Sequence, residues 1–352
     1  MRYKSFKIDN FRGITHLELS DMKRMNLLVG RNNCGKTSVL EGIFLLSGMS
    51  NPLLSVNIHV FRDLGLDSDN DFSFMFRNLD FSIPISFEGI LDDCNRKLKI
   101  SPSYKVITSE KKEMDKIEET KDGNIALTST PRKVKGINLE FAWRDKIHKG
   151  NISVKDKEAT TIIDKDYKEE LPCSMLSPKF SMIVNSKQME TLLVQKKLDN
   201  LISVLKGIEP RISDIRMGAA NMIYVDVGAE LLFPVNIMGD GMRRMLTILA
   251  AVSAMKNGVL LLDEIENGFH YSSLSILWKA IYLACKEYNV QLFATTHSYE
   301  CIQAFSKVYE EDKSQEDDIR LYRIDREGER HSAFAYTPQV LKAGIEKDFE
   351  VR

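Results

Sequence analysis

One stretch of the sequence is built for phosphate chemistry. Within MNLLVGRNNCGKTSVLEGIF, Met25–Phe44, the residues Gly30, Gly35, Lys36 and Thr37 fit the spacing G-x-x-x-x-G-K-[ST]. The glycines let a backbone turn its N–H groups inward around phosphate oxygens. The Lys36 ammonium is a point charge for the terminal phosphates, and the Thr37 hydroxyl, with Ser38 beside it, can meet Mg²⁺. A helix starting here adds the positive end of its dipole. Far downstream the apolar run Val259–Leu262 delivers Asp263 and Glu264. In a phosphate-loop ATPase such a pair divides the work: Asp263 holds the cation and Glu264 polarises the attacking water. Shortly before that run, Gly239-Asp240-Gly241 opens a helix whose N-terminus can approach phosphate by backbone alone.

These groups require a buried parallel sheet with helices behind it. Met25–Val29 and Val259–Leu262 are short apolar runs suited to such a sheet, as is Val290–Ala294, which leads into Thr295-Thr296-His297-Ser298. A helix over Thr37–Ser47 ends at Gly48, and further helices follow over Leu274–Tyr288 and within 237–258. Alternating residues in Met1–Ser20 predict two strands around Arg12-Gly13. Strands are also expected at Phe81–Ile90, Arg96–Tyr104, Gly136–Trp143 and Asn151–Val154, with a terminal hairpin of Ile319–Ile324 and His331–Tyr336. Lys187–Ile208 reads as one packed helix, able to serve in a dimer contact, stopping at Glu209-Pro210. The charge-dense Thr108–Asn124 reads as a solvated loop. The fold class is therefore α/β, with a discontinuous core of 1–76 and 217–352 and an inserted β-rich and helical part, 77–216.

Composition sets limits. The chain has 352 residues, 43% hydrophobic and 28% charged, with a formal net charge of −1. Such balance gives no global field for nucleic acid. The local cluster Arg132, Lys133, Lys135, Arg144, Lys146 and Lys149 is interleaved with Glu140 and Asp145, and reads as a solvated sheet edge. DNA binding remains open at this stage. The five cysteines are widely spaced, with no C-x-x-C, which points to free thiols in a reducing compartment. Without a long apolar run, a cytoplasmic location and no membrane partner are expected.

Taken together, Asn10-Phe11-Arg12-Gly13, GRNNCGKTSVLEGI, MGDGMRR, LLLDEIENGFH, ATTHS and the ending EKDFEVR resemble the ABC-type ATPase heads of the SMC/RecF group. Within that group the chain looks like OLD-family ATPases and their relatives in bacterial anti-phage systems. The resemblance implies a P-loop ABC-type head using ATP and Mg²⁺. Gly30, Asn33, Gly35, Lys36 and Thr37 match its phosphate loop, Asp263 its metal carboxylate, Glu264 its catalytic base and His297 its switch histidine. Arg12 matches a basic residue that reaches the nucleotide. Gly239, Asp240 and Gly241 match the signature segment, which caps the ATP of a second subunit, and Glu266–Ser272 the loop crossing that seam. A homodimer or higher homo-oligomer is implied, with a separate effector such as a nuclease.

The chain departs from the pattern at two places. Asp240 puts a carboxylate where many heads have a serine or glycine, and it repels phosphate unless it points away. No Gln occurs between Lys36 and Gln188, so the Mg²⁺-coordinating glutamine of many heads has no counterpart. The resemblance also sets an expectation of no nuclease site in this chain: Asp312, Asp317 and Asp318 stand in a charged loop after His297, without a Toprim core around them.

Overall fold

The computed structural model describes residues 1–106, 132–144, 146–179, 186–218, 222–311 and 317–347. Thr108–Asn124, Asp312 and most of the EKDFEVR ending lie outside the described residues. In chain order, β1 (Tyr3–Phe11), β2 (Ile14–Ser20) and β3 (Met25–Val29) lead into α1 (Lys36–Ser47) and α2 (Leu54–Val60). Five strands follow: β4 (Ile85–Leu91), β5 (Cys94–Val106), β6 (Arg132–Trp143), β7 (Lys146–Lys155) and β8 (Glu158–Ile163). Then come β9 (Cys173–Leu176), α3 (Ser186–Val194), α4 (Leu198–Leu205), β10 (Asp214–Met217), β11 (Ile223–Asp226) and β12 (Phe233–Pro234). The last third holds α5 (Asp240–Ala254), β13 (Val259–Leu262), α6 (Leu274–Tyr288), β14 (Gln291–Thr295) and α7 (Tyr299–Glu311). It closes with β15 (Ile319–Glu327), β16 (Arg330–Tyr336) and α8 (Pro338–Glu346).

Among the described residues the strands form three sheets. A mixed six-stranded sheet runs β16-β15-β3-β14-β13-β9, with β15, β3, β14, β13 and β9 parallel. An antiparallel seven-stranded sheet runs β2-β1-β4-β5-β6-β7-β8, and β10-β11-β12 form a small third sheet. Helix α1 is buried along almost its whole length. It packs on β1, β4 and β5 of one large sheet and on β9, β13 and β14 of the other. A helix with no wet face is a core element. Gly42 permits this packing: a Cβ there would stand 2.9 Å from Phe6 and from Phe87.

The six-stranded sheet separates two apolar cores. Met25, Leu27 and Val29 face the helical side built on α5, α6 and α7, whereas Leu28 faces the α1 side. That alternation is the two-residue period of a strand buried on both faces. The protein thus has the mixed α/β architecture of a P-loop ATPase head.

The structure redraws parts of the sequence expectation. The division at 76/77 runs through the seven-stranded sheet, because β1 pairs with β4 along most of its length. Strand β9, from the expected insertion, is the edge of the six-stranded sheet beside β13. The single helix over Lys187–Ile208 is two, α3 and α4, since Lys196 takes φ 56° between them. A left-handed residue cannot continue a right-handed helix. The basic cluster is not on a sheet edge: β6 and β7 are interior strands and β8 is the edge. Charges there alternate across the outward face, with Lys99 opposite Glu140 and Glu140 opposite Lys149. Asp317 and Asp318 are ion-pair partners, to Arg320 and Lys23 and to Arg24 respectively.

Candidate functional site

The phosphate loop leaves the end of β3 and turns into α1. Gly30 at φ 138° and Gly35 at φ 98° occupy backbone regions that side chains rarely enter. A Cβ on Gly30 would also lie 2.3 Å from the Ile324 carbonyl oxygen, so β15 passes too close for any other residue. Asn33 takes φ 61°, a left-handed turn that asparagine tolerates. No side chain caps α1, so its first N–H groups remain directed at the loop. Lys36 lies folded under the loop, its ammonium donating to Gly30 O at 2.8 Å and Arg31 O at 3.0 Å. Burial lowers its pKa, with the nearby Cys34, Asp263 and Glu266 opposing the shift.

Strand β13 ends beside this loop. The Thr37 hydroxyl lies 3.1 Å from each oxygen of Asp263. Thr295, the last residue of β14, donates its hydroxyl to Asp263 Oδ1 at 2.6 Å and accepts from the Glu264 N–H at 2.8 Å. Burial raises the Asp263 pKa against these hydroxyl contacts. Its partners are neutral, so a buried carboxylate stands without a paired cationic side chain among the described residues. A divalent cation fits that deficit, and a carboxylate with hydroxyls is the hard oxygen set Mg²⁺ takes. Glu264 turns at φ 49° and its Oε2 accepts from Asn267. His297 is exposed, and its backbone N–H donates to Glu266 Oε1 at 2.8 Å.

A cleft of ≈ 940 Å³ gathers Arg12, Asn33, Gly35, Lys36, Thr37, Ser38, Glu264 and His297. Arg62, which the sequence reading did not single out, also lines it. Glu41 from α1 is fully buried and holds both arginines, Arg12 Nε at 2.8 Å and Arg62 Nε at 2.6 Å. Arg62 also donates to Ser38 Oγ at 3.3 Å. Two guanidinium groups are thereby fixed at the mouth of the loop, with their charge half offset. An arginine coming soon after the loop helix was the available signal for Arg62.

Gly239, Asp240 and Gly241 do not line this cleft. They stand at the N-terminus of α5, where Gly239 and Asp240 are exposed. Asp240 turns to its own helix, 3.6 Å from Arg243. The next arginine is different: Arg244 is 2% exposed and donates to the carbonyls of both Asp263 and Glu264. It ties α5 to the acidic turn. The signal for it was an arginine inside the otherwise apolar stretch of α5.

Fold and site together are those of a P-loop ATPase head of the ABC type. A solved SMC head with an extended coiled coil, bound to the C-terminal domain of ScpA and derived from Pyrococcus furiosus, superposes with TM-score 0.53 at 11% identity, covering 98% of this chain and 99% of that one. Residues 25–302 match the family described as "AAA domain, putative AbiEii toxin, Type IV TA system", and the chain belongs to that family. It is 25% identical over 342 residues to an ATP/GTP phosphatase of Helicobacter pylori, covering 88% of each chain. It is also 25% identical over 313 residues to Septu protein PtuA of Bacillus thuringiensis, covering 86% of this chain and 73% of the relative.

Proposed function

We propose that the protein binds ATP with Mg²⁺ in this cleft, hydrolyses it slowly, and closes with a second copy of itself as it does so. One observation carries the reading. Lys36, Thr37, Asp263 and Glu264 converge on one site, while Gly239–Gly241, with Gly239 and Asp240 exposed, stand apart from it. In the proposed cycle Lys36 and the first turn of α1 hold the phosphates, and Thr37 and Asp263 hold the cation. Glu264 orients water from the far side of the cleft. His297 monitors the terminal phosphate, and Gly239–Gly241 of one copy approach the ATP of the other. The turn of Asp240 toward Arg243 removes the carboxylate from the path of that phosphate.

The biological role proposed is that of a regulatory ATPase in a bacterial defence system, acting with a separate effector nuclease. The likeness to the Septu protein supports the defence association. The described part of the outward seven-stranded sheet face, with alternating charge, offers no continuous basic track for DNA.

The test measures phosphate release and solution mass for wild type, Lys36→Ala and Glu264→Gln. Mg²⁺-dependent release by wild type, its loss in both variants, and an ATP-dependent rise in mass for Glu264→Gln are expected. Wild-type protein without turnover, and with a mass indifferent to ATP, refutes the reading.

A further inference from the structure

Away from the nucleotide cleft, a hollow of ≈ 320 Å³ opens among α3, α4, α5 and α6. Leu192, Leu201, Val204, Leu249, Leu283 and Tyr288 give it an apolar lining, and it shares no residue with the cleft. Helices α4 and α6 run antiparallel along it. Lys197 at the start of α4 pairs with Glu287 at the end of α6, at 2.5 Å. At the other end a Cβ on Gly207 would stand 3.0 Å from Ile276, so glycine lets the two helices draw together. The lining reaches the surface: Leu283 is 55% exposed. Leu193 and Val194, which directly follow Leu192, are 42% and 72% exposed. Scattered surface leucines need no explanation, but apolar side chains gathered at the mouth of an apolar hollow mark a contact surface.

The charge around the mouth has one dominant sign. Lys279 and Lys286 stand four residues before and three after Leu283, so they flank it on the surface of α6. Lys196 and Lys197 make the turn between α3 and α4. Lys256 follows the end of α5, where the Asn257 N–H donates to Tyr288 O at 3.0 Å and keeps that end beside the hollow. Glu287 is the one carboxylate of the lining. Glu190 and Asp199 lie two residues from Leu192 and Leu201, about 200° around their helices and away from the hollow.

We propose that this groove docks an amphipathic helix of a second protein, apolar along one stripe and acidic beside it. The walls are helices whose backbone groups are bonded within themselves, so an extended segment would gain no ladder here. A helix needs only side-chain contacts. Eight-residue α4 is about 12 Å long and seats two turns, with apolar residues at i and i+4 in the hollow. Carboxylates beside that stripe meet Lys279, Lys286 and Lys196. A second copy of this chain is the poorer occupant, because a two-fold contact sets the same lysines against each other. Leu249 and Ser253 place the seat on α5, the helix that begins at Gly239–Gly241. The assignment stands apart from the nucleotide reading, which its failure leaves untouched.

The experiment follows the anisotropy of a fluorescein-labelled helical peptide, about 18 residues long, as the full chain is added. The peptide carries leucines at i, i+4, i+7 and i+11 and glutamates on both flanks. A peptide of the same composition with scattered leucines, and one with lysine for every glutamate, are the comparisons. Wild type is expected to bind the first peptide saturably and more weakly as salt rises. Leu283→Asp, and Lys279→Glu with Lys286→Glu, should each weaken that binding at least tenfold while keeping the wild-type circular dichroism. If Leu283→Asp fails to fold, the lysine variant decides. No saturable binding by wild type up to about 1 mM overturns the assignment. So does equal binding of either comparison peptide, or undiminished binding by a folded variant. A nucleotide-free dimer of wild type that Leu283→Asp splits into monomers also overturns it, because the groove is then a contact between copies.

Discussion

Thr295→Val tests whether the acidic turn is held as described. Valine keeps the shape of threonine, and the residue is 1% exposed, so packing barely changes. What disappears is one hydroxyl with two jobs. Its bond to the Asp263 carboxylate, 2.6 Å, is of the charged kind, about 1.5–3 kcal/mol. Losing its acceptance of the Glu264 N–H, 2.8 Å, leaves a half-buried donor unpaired, at about 1 kcal/mol or more. The added methyl returns about 0.8 kcal/mol. The expected loss of unfolding free energy is therefore about 2–3 kcal/mol. Urea unfolding followed by tryptophan fluorescence measures it, because Trp278 is buried between α6 and α7, against Phe305 and Cys301. Thr295→Ser keeps the hydroxyl and gives up a methyl, about 1 kcal/mol. A valine variant within about 1 kcal/mol of wild type refutes the reasoning, and so does a serine variant as damaged as the valine one.

Arg244→Met removes the link between α5 and the acidic turn without touching the cleft wall. Turnover should fall about tenfold to a hundredfold through misplacement of Glu264. Calorimetric ATP affinity should stay within about threefold of wild type, and an equal loss in both would make Arg244 a binding residue instead. His59 gives a pH signature. Burial pushes its pKa down to about 4 against the Ser55 carbonyl contact. Between the unfolded value of about 6.5 and the folded value, the unfolded chain binds a proton that the native one does not. Stability therefore falls as pH drops through that window, by about 3 kcal/mol in all. Chemical denaturation of His59→Gln from pH 7 to 4 should show a shallower decline, by up to one proton in slope, and an unchanged slope counts against this source.

The parts of the site that were legible in the sequence are those written locally. The phosphate loop, the acidic strand end and the threonine-rich end of β14 each lie within a few consecutive residues, where spacing alone constrains the backbone. The partners across the sheet were not legible. Thr295 lay inside a stretch already singled out, yet its role depends on β14 lying beside β13. Arg62 and Glu41 meet through the packing of α2 against α1, and no spacing rule joins them. Strand β9 was missed because CSML is too short and mixed to declare itself beside a stronger neighbour. The break between α3 and α4 was hidden because Lys196 is an ordinary helix former that adopts a left-handed turn here.

The position of β3 also bears on how the chain is made. This strand emerges early in synthesis, yet both its neighbours in the sheet, β14 and β15, come from beyond residue 290. At ribosomal speeds of about 5–20 residues per second, the gap is on the order of 15–60 s. During that interval the antiparallel sheet can gather on one side of α1, while Met25, Leu27 and Val29 wait without neighbours. A nascent chain is then a half-built protein with an apolar flank, a ready client for chaperones. The loop after β3 and the acidic turn after β13 come into register only when β14 arrives between them.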